Sequence, residues 1–345
     1  MLVRPAFVAI LLYSLLVVEA NAQSNETLLD CFGLKKITRE QIEKAIGMTD
    51  GIPSSGIEKQ QIKERVAAIP GVEEVTVSPV QYPGTTVVFI GIRESGQPAR
   101  EFRDAPTGDV QLEDDLQNRY NEIMEQLLPA IKSGKAREDG SAGHSISEYE
   151  PMKEKQLELL PIADEKFDHL ADVIRNSSNK DSRAAAASIV AYAKDKKAVI
   201  EILKSACDDP NSLVRNNGVR ALSVIAKYAD DNPKLDLVID HSPFLKLLNS
   251  VVWTDRNKGA AVVDALTRNR SEQLMSQLRE SHLSDLLEMA RWSSGGHALF
   301  SIRILARLAD ETEEAISKRS RECKTHEDRL KWVDELEGKL SREPG

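Results

Sequence analysis

The stretch DDPNSLVRNNGVRAL, Asp208 to Leu222, sets an acid, an arginine and a glycine close together, as a reactive site or a repeated building unit might. Its recurrence decides between the two. Superposing one small residue per helix aligns DSRAAAASIVAYA, LVRNNGVRALSVIA, DRNKGAAVVDALTR and SGGHALFSIRILARLA on Ala186, Gly218, Gly259 and Ala298, at spacings of 32, 41 and 39 residues. Periods of this size with two helices each belong to α-solenoids, in which a helical pair buries its apolar face only when a neighbour stacks on it.

A partner helix is visible after each of the first three copies, in AVIEILKSA, SPFLKLLNSVV and LSDLLEMARW. In the best copy, Val214, Gly218, Ala221, Leu222 and Ile225 form the inner stripe, with Gly218 and its equivalents small because two helices approach closely there. Asp209 and Pro210 stop one helix, and Asn211 or Ser212 can cap the next. This pattern over about 150 residues resembles HEAT repeats. The resemblance implies that Asp209 and Arg215 bond between neighbouring repeats, with Asp181 and Arg183, and Asp255 and Arg256, as weaker copies. As a whole the chain resembles exported bacterial HEAT-repeat proteins.

Composition bounds the partners. A net charge of -9 and few aromatics, 5% of 345 residues, give no basic surface of the kind that holds a phosphate backbone, so nucleic acid is not expected. The N-terminus MLVRPAFVAILLYSLLVVEANAQS sets Arg4 before an apolar run from Phe7 to Val18, followed by Ala20-Asn21-Ala22. That order reads as a signal peptide cleaved after Ala22, with an apolar run too short to span about 30 Å of hydrocarbon comfortably. The mature chain is expected to be exported, periplasmic or secreted, without stable membrane insertion. Cys31, Cys207 and Cys323 are too widely spaced for a zinc site or a disulfide framework. Asn25, Asn176 and Asn269 open N-x-S/T triplets, which matter only in a glycosylating host.

Between Cys31 and Glu94 the period changes in order. ITREQIEKAIG places Thr38 and Gln41 as a capping box and Ile37 and Ile42 as a hydrophobic staple; SSGIEKQQIKERVAAIPGV repeats the device with Ser55 and Glu58, then Ile62, Val66 and Ile69. The period then falls to two, with Val75 and Val77, a YPG turn, and Val88, Ile90 and Ile92. A hairpin alone is marginal in water, so it must lie on the two helices, with a further strand expected at Cys31–Lys35. This order and the phrase IPGVEEVTV resemble a POTRA domain, a polypeptide-transport-associated module. The resemblance implies an extracytoplasmic α+β module contacting other polypeptides, often through a sheet edge; no β-barrel follows it here.

Leu112, Leu116, Tyr120, Ile123 and Leu127 make one helical stripe of core residues. After it the loop Lys132 to Pro151 gathers Glu138, Asp139, His144 and Ser145. A hydrolase could use His144 as base with a carboxylate orienting it, but no G-x-S-x-G or H-E-x-x-H pattern supports this, and the simpler reading is a histidine that pins the loop to the helices. The other histidines lack ligand spacing, so neither metal nor cofactor is expected.

The sequence thus predicts a mainly α fold, a HEAT-like α-solenoid preceded by a small α+β domain. Its segments are a signal peptide at 1–22, the POTRA-like domain at 23–95, a linker with a long helix and loop at 96–161, the solenoid at 162–318 and a capping helix at 319–345 bearing Leu330, Val333, Leu336 and Leu340. Because every identifiable motif is architectural, the expected function is a non-enzymatic scaffold binding protein partners in the cell envelope. The alternatives are an envelope hydrolase using the His144 loop, or an accessory factor in outer-membrane protein assembly or export.

Overall fold

A computed structural model describes residues 26–48, 58–82 and 84–342. The expected signal peptide and the Ser55 cap lie outside these residues. Contact density groups the chain into two compact units: one runs from Phe102 to Phe244, and the other joins the described residues up to Glu101 with those from Leu245 onward. The sequence segments above divide composition rather than packing, and the units group the chain differently.

The second of these units opens with strand β1 (Glu26–Phe32), helices α1 (Arg39–Ile46) and α2 (Lys59–Ala67), and strands β2 (Val72–Tyr82) and β3 (Thr85–Glu94). The sheet order is β1-β3-β2, with β1 parallel and β2 antiparallel to β3. Thr38 and Gln41 form the capping box of α1, and Gly47 ends it in the left-handed region. Ile37, Ile42, Ile46, Ile62 and Val66 pack with Val75, Val77, Val88, Ile90 and Ile92, so the hairpin lies on both helices as its period requires. The strand expected at Cys31–Lys35 instead ends at Phe32. Gly33 turns to a φ of 81°, and the amides of Lys35, Lys36 and Ile37 turn to the Glu94 carboxylate at 2.7–3.0 Å rather than to a strand.

Both faces of β3 are covered. Val87 and Phe89, on the face away from α1 and α2, are as buried as Val88 and Ile90. Phe89 stacks on Trp253 at 4.6 Å between ring centroids, and Trp292 meets Phe89 at 5.3 Å and Phe32 at 5.6 Å.

The other unit carries α3 (Asp114–Glu125), α4 (Leu127–Lys132), a small hairpin of β4 (Glu138–Asp139) and β5 (Ile146–Ser147), α5 (Glu150–Glu165), α6 (Phe167–Asn176), α7 (Lys180–Ile189), α8 (Lys196–Cys207) and α9 (Ser212–Asp231). The stripe Leu112, Leu116, Tyr120, Ile123 and Leu127 is buried. The chain continues through α10 (Ser242–Leu247), α11 (Trp253–Leu266), α12 (Glu272–Gln277), a π-turn, α13 (Leu283–Ala290), α14 (Gly295–Leu308), α15 (Glu313–Glu322) and α16 (His326–Leu340). Thr325 and Asp328 box the start of α16, which buries Trp332, Val333 and Leu336.

The phase of the helical pairs differs from the sequence reading. Among helices consecutive in the chain the tightest pairs are α6 with α7, α8 with α9, and α13 with α14, so the helix bearing Ala186, Gly218 or Ala298 is the second of its pair, not the first. Short turns capped by Asn179 and Asn211 explain this, since each asparagine side chain takes the first amides of the helix that folds back. A side-chain carbon at Gly218 would lie 2.6 Å from the Ala206 Cβ, so the Ala206 methyl of α8 packs directly on the α9 backbone there. Gly259 is buried on α11.

Denaturant titration tests this packing. Gly218→Ala should cost about 1–3 kcal/mol through overpacking. Gly338→Ala, on a helical site with nothing within 4 Å, should instead gain roughly 0.5–1 kcal/mol from propensity. Equal shifts for the two would contradict the close approach.

Candidate functional site

In the unit Phe102–Phe244 the polar chemistry gathers at the ends of the paired helices. Asp209, in the turn before α9, is fully buried. Its carboxylate accepts a two-pronged pair from Arg183 on α7, Nε to Oδ2 at 2.8 Å and Nη2 to Oδ1 at 2.9 Å, and a further bond from Arg103 Nη2 at 2.9 Å. Asn211 N–H completes its shell at 2.9 Å. Arg183 stands where Arg215 stands one repeat later, so the acid and arginine of the motif do bond across repeats, the arginine coming from the preceding copy. Arg215 itself donates to the carbonyls of Asp209 and Pro210 at 2.8 and 3.0 Å, and its guanidinium lies 3.7 Å over the Phe102 ring.

The same local arrangement occurs in the other unit. Arg256, in register with Arg215, pairs with Glu288 at 2.7 Å and lies 4.8 Å over the Phe32 ring. Glu288 also accepts from Gly33 N at 2.8 and 3.0 Å. Asp30 takes the Ser293 amide and hydroxyl at 2.8–3.1 Å, supplying negative charge at the start of α14, although burial pushes its own carboxyl up. Asp181 and Asp255, read as copies of the motif acid, do otherwise: Asp181 is exposed at the start of α7, and Asp255 accepts from the Ser250 hydroxyl at 2.8 Å.

The His144 loop is pinned. Glu138 is buried against Arg220, with one carboxylate oxygen at 2.6 Å, and Asp139 accepts from the Ser141 amide at 2.8 Å. Ser145 is held through its carbonyl by Tyr192 Oη at 3.0 Å. His144 faces Lys196 Nζ at 3.5 Å rather than a carboxylate, and burial together with that ammonium pushes the imidazole down to about 4. The Lys196 ammonium bonds the Ala191 and Ala193 carbonyls at 2.8 Å each, and burial pushes it down to about 8. The space between His144, Ser145, Tyr192, Asn217 and Arg220 is about 10 Å³, room for one water. The four loop residues therefore do share one place, but each is engaged in holding the loop and no substrate-sized cavity opens beside them.

Sequence reasoning missed Arg103, Arg220, Glu288 and Asp30 because their partners lie far along the chain. The signal for Arg183 was present: it shares the register of Arg215 and Arg256. All three cysteines are free thiols, and burial pushes Cys31 up to about 12. Among the described residues no group of three or more acidic, histidine or cysteine side chains is placed to hold a metal, and no helix is long and apolar enough to cross a membrane.

The family model for HEAT repeats matches residues 167–243, which span α6 to α9 and the connection after them. The chain is thus mainly helical, and α6 to α9 within it are similar to HEAT repeats. It is similar to a designed armadillo repeat protein in complex with the peptide (KR)4, at 13% identity and a TM-score of 0.37, covering 66% of this chain and 100% of that one. No curated protein matches it.

His297 gives a test of the interior. It is buried, its Nδ1 is 3.1 Å from Tyr82 Oη, and burial followed by the Lys258 ammonium pushes the imidazole down to about 3. An unfolded imidazole takes its proton near 6.5, so between those values the unfolded chain binds the extra proton and stability falls as pH falls. His297→Gln should remove about 1.4 kcal/mol per pH unit of that slope between roughly pH 6 and 4 in denaturation curves. An unchanged slope would show that His297 is not held neutral.

Proposed function

We propose that this chain is a non-enzymatic, exported scaffold that binds polypeptides in the cell envelope. One observation carries the reading: at the helix ends, segments outside the repeats are held by bonds between a charged side chain on one side and backbone groups on the other. Glu288 takes the Gly33 amide, and Arg103, itself outside the repeats, is held by the Ile174 and Arg175 carbonyls at 2.9 Å. A surface that recognises main-chain groups and a few side chains is suited to extended polypeptide, whatever its source.

Export rests on the order of charged, apolar and small residues in the first 22 positions. The β-α-α-β-β order of the N-terminal elements and their sheet of β1-β3-β2 support the POTRA-like reading and with it an extracytoplasmic setting. The outer edge of β2, an edge strand in the order β1-β3-β2, then offers a second polypeptide contact. Hydrolysis at His144 is not favoured, because a low-pKa imidazole facing an ammonium is a weak base and its cavity admits one water.

Affinity capture of the full chain from its native envelope after crosslinking tests this. The purified chain should begin at Gln23 and bring down a specific polypeptide, and His144→Ala should capture the same one. Recovery of nothing above background would contradict the scaffold.

A further inference from the structure

The last four carbonyls of a helix have no partner within it, and at α6 the account closes only with help from outside the repeats. Val173 O accepts from the Ser177 amide, as a local cap. Ile174 O and Arg175 O accept from the Arg103 guanidinium at 2.9 Å each, and Asn176 O accepts from Gly108 N at 2.9 Å. The segment Phe102–Gly108 therefore runs as a strap over the α6–α7 and α8–α9 turns. Its backbone is tied at Arg103 N to Asp208 O and in a parallel bridge of Gly108 with Ser177, and its Phe102 ring lies under Arg215.

Each anchor has a chemical reason. A guanidinium suits a helix C-terminus, where the carbonyls carry partial negative charge, and its fork reaches two carbonyls and the Asp209 carboxylate together. Glycine is needed at 108, since a side-chain carbon there would lie 2.5 Å from Asn176 O. Between the anchors, Asp104, Ala105 and Thr107 are exposed and read nothing.

With the strap lifted the α6 carbonyls turn to water or to another donor, while the ion pair beneath stays whole. Asp209 keeps its two bonds from Arg183 and the Asn211 amide, and Arg215 keeps the Asp209 and Pro210 carbonyls. Lifting the strap leaves no buried charge alone, which is the step that makes breaking an interior ion pair costly. The strap has no helix and only one bridge, so it is held at its two ends, by Phe102 and Arg103 and by Gly108.

We propose that this edge is a peptide-binding site, occupied in cis by the strap and able to take in trans an extended peptide bearing Phe-Arg and a glycine five residues after the arginine. The proposal rests on the reading of the chain as a polypeptide scaffold and names the class of partner. Cis occupancy weakens binding from outside, because a tethered segment acts at a high effective concentration.

The test uses the full chain and a fluorescent peptide of residues 99–112. Phe102→Ala/Arg103→Ala, which empties the site, should bind the peptide at least about tenfold more tightly than wild type by anisotropy. Peptides carrying Arg103→Ala or Gly108→Val should each lose about tenfold or more. Equal binding by wild type and variant, or by the altered peptides, overturns the proposal. Should the double variant not fold, hydrogen exchange of wild type decides: the Arg103 and Gly108 amides should exchange by local opening, much faster than those of central α9, and exchange at the α9 rate overturns it. If captured envelope partners bind wild type and the double variant equally while the peptide fails, the scaffold reading stands and only this site falls.

Discussion

A carboxylate without access to water, Asp209, sits where two successive helical pairs of one unit meet. Its charge is tolerable there only because Arg183 grips both oxygens and the Asn211 amide adds a third bond. That geometry fixes the position of α7 relative to the turn before α9, since a guanidinium fork meets a carboxylate in one plane. Apolar contact between stacked helices is permissive about sliding; a buried, bidentate ion pair is not. The repeats supply apolar area for stability, and the pair supplies their register.

The same logic holds in the other unit with different residues. Arg256 pairs with Glu288, whose carboxylate also receives the Gly33 amide, so one acid joins a repeat arginine to the end of a β-strand. Asp30 does the converse, reaching from β1 to the Ser293 amide at the start of α14. The small sheet is thereby fastened to the repeat helices by backbone-directed bonds at its rim and by Phe32, Phe89, Trp253 and Trp292 at its centre. Sandwiched in this way, β3 is buried along six successive residues.

Much of this was legible in the sequence where the signal is local. The Thr38 capping box, the stripe from Leu112 to Leu127 and the alternation through Val75, Val77, Val88, Ile90 and Ile92 each depend on residues within a turn or two, and the structure has all three. The phase of the helical pairs was not legible, because a period of small residues marks close approach without saying whether the neighbour precedes or follows. The second covered face of β3 was half visible: VVFIGI is a continuous apolar run of the kind a doubly buried strand carries, and reading only its alternation discarded Val87 and Phe89. Around His144, residue types suggested chemistry, but their partners Arg220, Lys196 and Tyr192 come from distant helices and turn the cluster into a fastening.

The buried acid and the arginine of the preceding repeat set the stacking. A double-mutant cycle on Arg183→Met and Asp209→Asn, read by denaturant unfolding, measures it directly. Each single variant should lose about 3 kcal/mol, the low end for breaking a buried pair because Arg103 still bonds Asp209, and the double variant should cost little more than either single one. Additive losses, with a coupling near zero, would contradict it.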